Sequence, residues 1–124
     1  PAARPLTGVG LGGVPAALQD RRPGFPFDYQ PVHLVLADAA AESGLPGAAL
    51  LLAALAAPWL ALWAERRTLV LTPELAAASA GLLAITVAGL FDYYPWMLAP
   101  GRGWQWWAWG IWGLFYLRAK KHVG

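Results

Sequence analysis

The sequence predicts an all-α membrane protein: about three transmembrane helices preceded by an extracytoplasmic loop with a short helix. Three observations carry that expectation. The composition is 58% hydrophobic and only 13% charged, whereas about a quarter of residues in a soluble domain are charged. The apolar residues fall into runs with little or no charge. Tryptophans and basic side chains gather at the ends of those runs, where a bilayer meets water. A soluble domain of 124 residues has too little interior to hide that much apolar surface.

Composition also excludes several classes. A net charge of +2 with scattered or terminal basic residues gives no electrostatic footprint for nucleic acid. With no cysteine, disulfides and thiolate metal sites are ruled out. The chain opens at Pro1 with no signal-peptide pattern. The expectation is the C-terminal part of a longer chain, with upstream transmembrane helices.

Residues 1–32 read as a Pro/Gly-rich extracytoplasmic loop, and residues 33–124 as a C-terminal helical membrane region. Gly8, Gly10 and Gly13 satisfy GxGxxG, but a phosphate-cradling loop needs a strand before it and a helix after it. Pro15 and the prolines at 23 and 26 argue against that context, so a turn-rich loop is the simpler reading. Arg21 and Arg22 precede PGFPFDYQP, which cannot be a long helix. Paired arginines either face water or form a fork for phosphate or diphosphate oxygens.

A short external helix is predicted over residues 33–44, with Ala37, Ala40, Ala41 and Gly44 on the face of His33. At about 100° per residue, Asp38 lies about 140° and Glu42 about 180° away from His33. Any partner of His33 therefore comes from elsewhere in the chain. Asp38 and Glu42 form an i,i+4 like-charge pair, tolerable where their face is wet or meets cations. Gly44 offers a left-handed cap, and Pro46 a helix start.

Three spans are predicted at about 46–64, 73–90 and 104–117. The first is uncharged from Pro46 to Trp63, roughly 27 Å as helix, with Pro58 as a kink or loose point. Thr72, Pro73 and Glu74 read as the N-cap and first positions of the second. Ala77 with Gly81, and Ala84 with Ala88, form small-residue pairs that let a neighbouring helix approach. The helix breaks at FDYYPW (91–96), and PGRG (100–103) reads as a turn. The third run, WQWWAWGIWGLFYL, is short at roughly 21 Å, with Arg118 able to snorkel.

Arg66, Arg67 and the basic residues at 118–121 flank these runs on one side. The positive-inside rule places residues 65–68 and 118–124 in the cytoplasm. It places 1–44 and 91–103 outside, so His33 and the 91–96 loop share the extracytoplasmic face.

Three blocks, in order, then resemble a known family. His33, followed by Ala41-Glu42-Ser43-Gly44-Leu45-Pro46-Gly47 and an apolar run, resembles the His-containing GxxG motif of the O-antigen ligase and O-antigen polymerase superfamily. LTGVGLG at 6–12 is similar to the glycine-rich start of that family's large external loop. GLFDYYPW at 89–96 is similar to its short external loop before a last Trp-rich helix. The family has Asn, Ser or Gln after the His, and this chain has Leu34.

The resemblance implies a membrane glycosyltransferase of the bacterial plasma membrane, from lipopolysaccharide or polysaccharide biosynthesis. Such enzymes move a glycan from an undecaprenyl-diphosphate carrier to a glycan, lipid or protein acceptor, without a nucleotide sugar, other cofactor or metal. His33 would be the catalytic base or positioning group for the acceptor hydroxyl. Arg21, Arg22 and Arg102 would bind donor diphosphate oxygens, and Asp92 would pair with an arginine or cap a helix end. The residues by themselves leave a second class open: a non-catalytic helical membrane protein whose tryptophans anchor it among membrane lipids. Metal chemistry is a poor third, because His33, Asp38 and Glu42 lie on different faces.

Overall fold

The computed structural model describes residues 4–24, 33–92 and 99–121. Among these residues there are four helices and no strand: α1 (Val14–Arg21), α2 (Val35–Ala64), α3 (Pro73–Phe91) and α4 (Ala99–Lys121). The chain divides into two compact units, Pro1–Ala54 and Leu55–Gly124.

The first unit is built around a break in α2. At Gly44 the backbone takes φ 77° and ψ 178°, a region open essentially only to glycine. The break orphans two helix carbonyls. Ala41 loses its ordinary partner because the Leu45 N–H donates instead to the Pro5 carbonyl at 2.8 Å. Glu42 has none because the residue four positions on is Pro46, which lacks an N–H. The glycine-rich loop fills both vacancies. Val9 N–H donates to the Ala41 carbonyl and Gly10 N–H to the Glu42 carbonyl, each at 2.9 Å. The contact needs bare backbone on both sides: a Cβ on Gly8 would strike the Glu42 carbonyl, and one on Gly44 the Leu6 carbonyl. The N-terminal loop is thus the cap that the kinked helix lacks.

The second unit packs α4 against α3 as an antiparallel hairpin. Leu75 and Leu82 of α3 meet Trp112 and Ala119 of α4, and Trp59 and Leu62 of α2 pack on that cluster. Thr72 caps α3 as expected, its hydroxyl accepting from the Leu75 N–H at 3.3 Å, with Pro73 opening the helix. Trp112 Nε1 donates to Ser79 Oγ across the interface at 3.1 Å and stacks on Tyr116.

α2 and α3 are long and apolar enough to cross a membrane. Of their most apolar 18 residues, only 11% and 22% are buried, whereas the core helix of a soluble protein would be hidden. Leu50, Leu52 and Leu60 of α2, and Leu83 and Val87 of α3, stand exposed.

Several expectations are corrected. α2 begins at Val35, so His33 lies outside it and the angular argument drawn from His33 does not apply. Of the two settings expected for Asp38 and Glu42, a wet face or one that meets cations, the wet face is excluded, since they are 4% and 6% exposed. A helix unforeseen in the Pro/Gly-rich loop, α1, carries Pro15 in its first turn, where the missing N–H costs nothing. Pro58 is fully buried inside α2, whose non-helical backbone is at Gly44. The small residues Ala77, Gly81, Ala84 and Ala88 are exposed, and α3 instead buries Leu75, Leu82, Thr86 and Gly89. The expected turn at 100–103 forms the start of α4, which has 23 residues rather than the 14 of the apolar run. α4 is not among the helices that length and apolarity mark as candidate spans. This gives two candidate spans where three were expected.

Candidate functional site

In the first unit, His33 is exposed, two residues ahead of α2. Arg21 closes α1, and Arg22 follows as its C-cap with its N–H on the Leu18 carbonyl at 2.9 Å. Both arginines are exposed. An exposed imidazole at a helix entrance can take a proton from a hydroxyl, and exposed guanidinium groups can bind phosphate oxygens. Residues 25–32, between the arginines and His33, lie outside the described residues.

Glycine spacing at 8, 10 and 13 does not make a phosphate cradle. The N–H groups of Gly8, Val9, Gly10 and Gly13 donate to the carbonyls of Arg4, Ala41, Glu42 and Gly10. Inward-facing donors are what such a cradle requires, and here they are used inside the protein. The loop positions the helix behind His33 rather than a ligand.

In the second unit, Asp92 is the C-cap of α3, its backbone N–H on the Ala88 carbonyl at 3.0 Å. Arg102 is exposed in the first turn of α4. Both belong to the same end of the hairpin. Residues 93–98, which include the last four of FDYYPW, lie outside the described residues.

The opposite end of the hairpin carries Arg66, Arg67, Arg118, Lys120 and Lys121. Lys120 Nζ bonds Glu65 Oε1 at 2.6 Å, which ties the α2–α3 turn to the end of α4. Arg66 lies 4.3 Å above the Trp63 ring and donates to the Trp63 carbonyl. The Lys120 hydrogen bond holds Glu65 below its ordinary value, and Glu65 in turn raises Lys120. The depressed carboxylate contributes stability above its unfolded pKa and loses it as pH falls through the folded one. The raised ammonium contributes below its unfolded pKa and loses it as pH rises through the folded one. The bridge is therefore constant near neutrality and opens in acid. In a carboxyl NMR titration, Glu65 should titrate below the usual glutamate range and move up toward it in Lys120→Gln, where the Tyr116 hydrogen bond remains. An unmoved Glu65 in that variant would remove the pairing from the account.

Sequence reasoning missed a groove between α3 and α4 of about 590 Å³, walled by Ala77, Gly81, Ile85, Trp107, Ile111 and Phe115 among others. The signal in the sequence is the pair Ala77 and Gly81, whose spacing fits a helix contact and an open groove alike. None of His33, Arg21, Arg22, Arg102 or Asp92 lines this groove. Sequence also leaves unseen the burial of Glu42 and Gln105, whose Oε1 and both amide atoms respectively have no hydrogen-bond partner among the described residues.

Comparison with protein-family models, curated proteins and solved structures gives no match to this chain.

Proposed function

We propose that the chain is part of an integral membrane glycosyltransferase of the bacterial plasma membrane, similar to O-antigen ligases. The observation that supports this reading most is the union of two of the three family-like blocks. The glycine-rich block at 6–12 is hydrogen-bonded to the carbonyls just before the GxxG glycines, Gly44 and Gly47. Blocks that are separate in sequence form one local structure, with His33 at its entrance.

α4 is the third span in this reading. It packs beside α3 from Leu82 and Trp112 to Leu75 and Ala119, so a bilayer that surrounds α3 also surrounds α4. Its 23 residues reach about 34 Å, enough to cross about 30 Å of hydrocarbon. The exposed Trp104, Trp106 and Trp107 occupy one interface and the basic residues the other. His33, Asp92 and Arg102 then face the extracytoplasmic side.

In transfer, an acceptor hydroxyl oxygen bonds the anomeric carbon as the bond from that carbon to the diphosphate oxygen breaks. His33 receives or positions the hydroxyl proton. Arg21 and Arg22 neutralise the charge that develops on the departing undecaprenyl diphosphate. The test is to supply the full-length protein, in proteoliposomes, with an undecaprenyl-diphosphate-linked glycan and an acceptor. Label moving to the acceptor supports a ligase, and lengthening of the lipid-linked glycan supports the polymerase alternative. Label left on the donor sinks both.

A second reading, a non-catalytic helical membrane protein, draws on one observation. The groove of the helical hairpin is lined by none of the candidate site residues.

A further inference from the structure

We propose that the α3–α4 groove binds an anionic phospholipid from the leaflet at the basic end of the hairpin. One acyl chain lies in the groove and the phosphate rests on Arg118. This inference rests on the membrane reading and not on the transferase reading.

The groove matches an acyl chain in chemistry and in length. Its walls are alanine, glycine, isoleucine and aromatic side chains. It extends from Glu74 and Phe115 at one end to Ile85 and Trp104 at the other. Eleven residues of helix are about 17 Å, close to one leaflet of a hydrocarbon core about 30 Å thick. Ala77 and Gly81 keep it open. Both are exposed, and a Cβ added at Gly81 meets nothing within 4 Å among the described residues.

Charge selects the headgroup. Arg118 lies 5.7 Å from the centre of the Phe115 ring, so a guanidinium stands at the mouth of the groove. Among the described residues no carboxylate is within ion-pairing distance of it. Lys121 is exposed nearby, and the Glu65–Lys120 bridge brings Arg66 and Arg67 to the same end. Glu74, also at the mouth, is engaged by the Thr72 hydroxyl and its own backbone N–H. Among the described residues, five cations at this end thus stand with two carboxylates, Glu65 and Glu74. Basic sites between helices on the cytoplasmic side suit anionic headgroups, and the positive-inside rule places this end there.

The test titrates the full chain in mild detergent with dioleoyl-phosphatidylglycerol or dioleoyl-phosphatidylcholine and counts bound lipid by native mass spectrometry. Phosphatidylglycerol should be retained roughly fivefold better or more, the preference expected of even one basic contact. Arg118→Gln should lose the preference and keep the weaker retention common to both lipids. Gly81→Leu, which fills the groove, should lose retention of both. Equal retention by the parent chain, or an unchanged preference in Arg118→Gln, overturns the proposal. So does a dimer that Gly81→Leu dissolves, which would give the groove to a second copy. Flotation with liposomes separates the two readings. A chain that floats yet shows no preference defeats this inference alone, and one that fails to float defeats the membrane reading with it.

Discussion

Gly44→Val should unseat the N-terminal loop from α2. The native φ of 77° with ψ of 178° costs a side-chain-bearing residue of order 1–3 kcal/mol. That figure omits the collision of the new Cβ with the Leu6 carbonyl. The chain can relieve both by straightening at residue 44 or by pushing the loop away. Either route breaks the bonds from Val9 to Ala41 and from Gly10 to Glu42. Amide hydrogen exchange at Val9 and Gly10 should accelerate roughly ten- to hundredfold, at about 1.4 kcal/mol per factor of ten. Gly8→Val should do the same from the other side, because its Cβ meets the Glu42 carbonyl. Unchanged protection in both variants would mean that the loop is not the cap of the helix.

On the proposed transferase reading, His33→Ala should lower glycan transfer by the full-length protein by about 10²- to 10⁴-fold, the usual contribution of a positioned acid or base. Expression and membrane insertion should be unaffected, because the side chain is exposed and lies outside α2. The loop contact offers a control, since Val9 and Gly10 exchange should stay protected in this variant. Leu34→Asn supplies the residue type that the proposed transferase reading expects after the His, and activity should hold or rise. Near-normal transfer by His33→Ala would remove the base assignment.

The helices were legible where local chemistry decides them. Thr72-Pro73-Glu74 announced α3 because an oxygen-bearing cap, a proline and an acidic residue each suit a helix start. Gly44 followed by Pro46 announced the break in α2 for the same kind of reason. What depended on distant chain was not legible. The PGRG at 100–103 has the composition of a turn, yet it forms the first turn of α4, and Pro100 tolerates that within the first turns. The setting of Glu42 stayed open because the loop that reaches its carbonyl, Gly8 to Gly10, is remote in sequence. The small residues of α3 marked a real surface, but spacing alone could not tell a helix contact from an open groove. For the candidate site, sequence named His33, Arg21, Arg22, Asp92 and Arg102 one by one. The union of the glycine-rich loop with the Gly44 break became visible only in three dimensions.

Topology is the property to measure first, and a chain without cysteine suits the measurement. Single cysteines at Thr7, Leu34, Arg67 and Lys121 can be probed in intact cells with a thiol reagent that does not cross the membrane. Positions 7 and 34 should label without permeabilisation, and 67 and 121 only after it. That pattern would place His33 across the bilayer from the basic end, as transfer on the outer face requires. Labelling of all four in intact cells, or of 67 and 121 alone, would contradict the topology and the transferase reading with it.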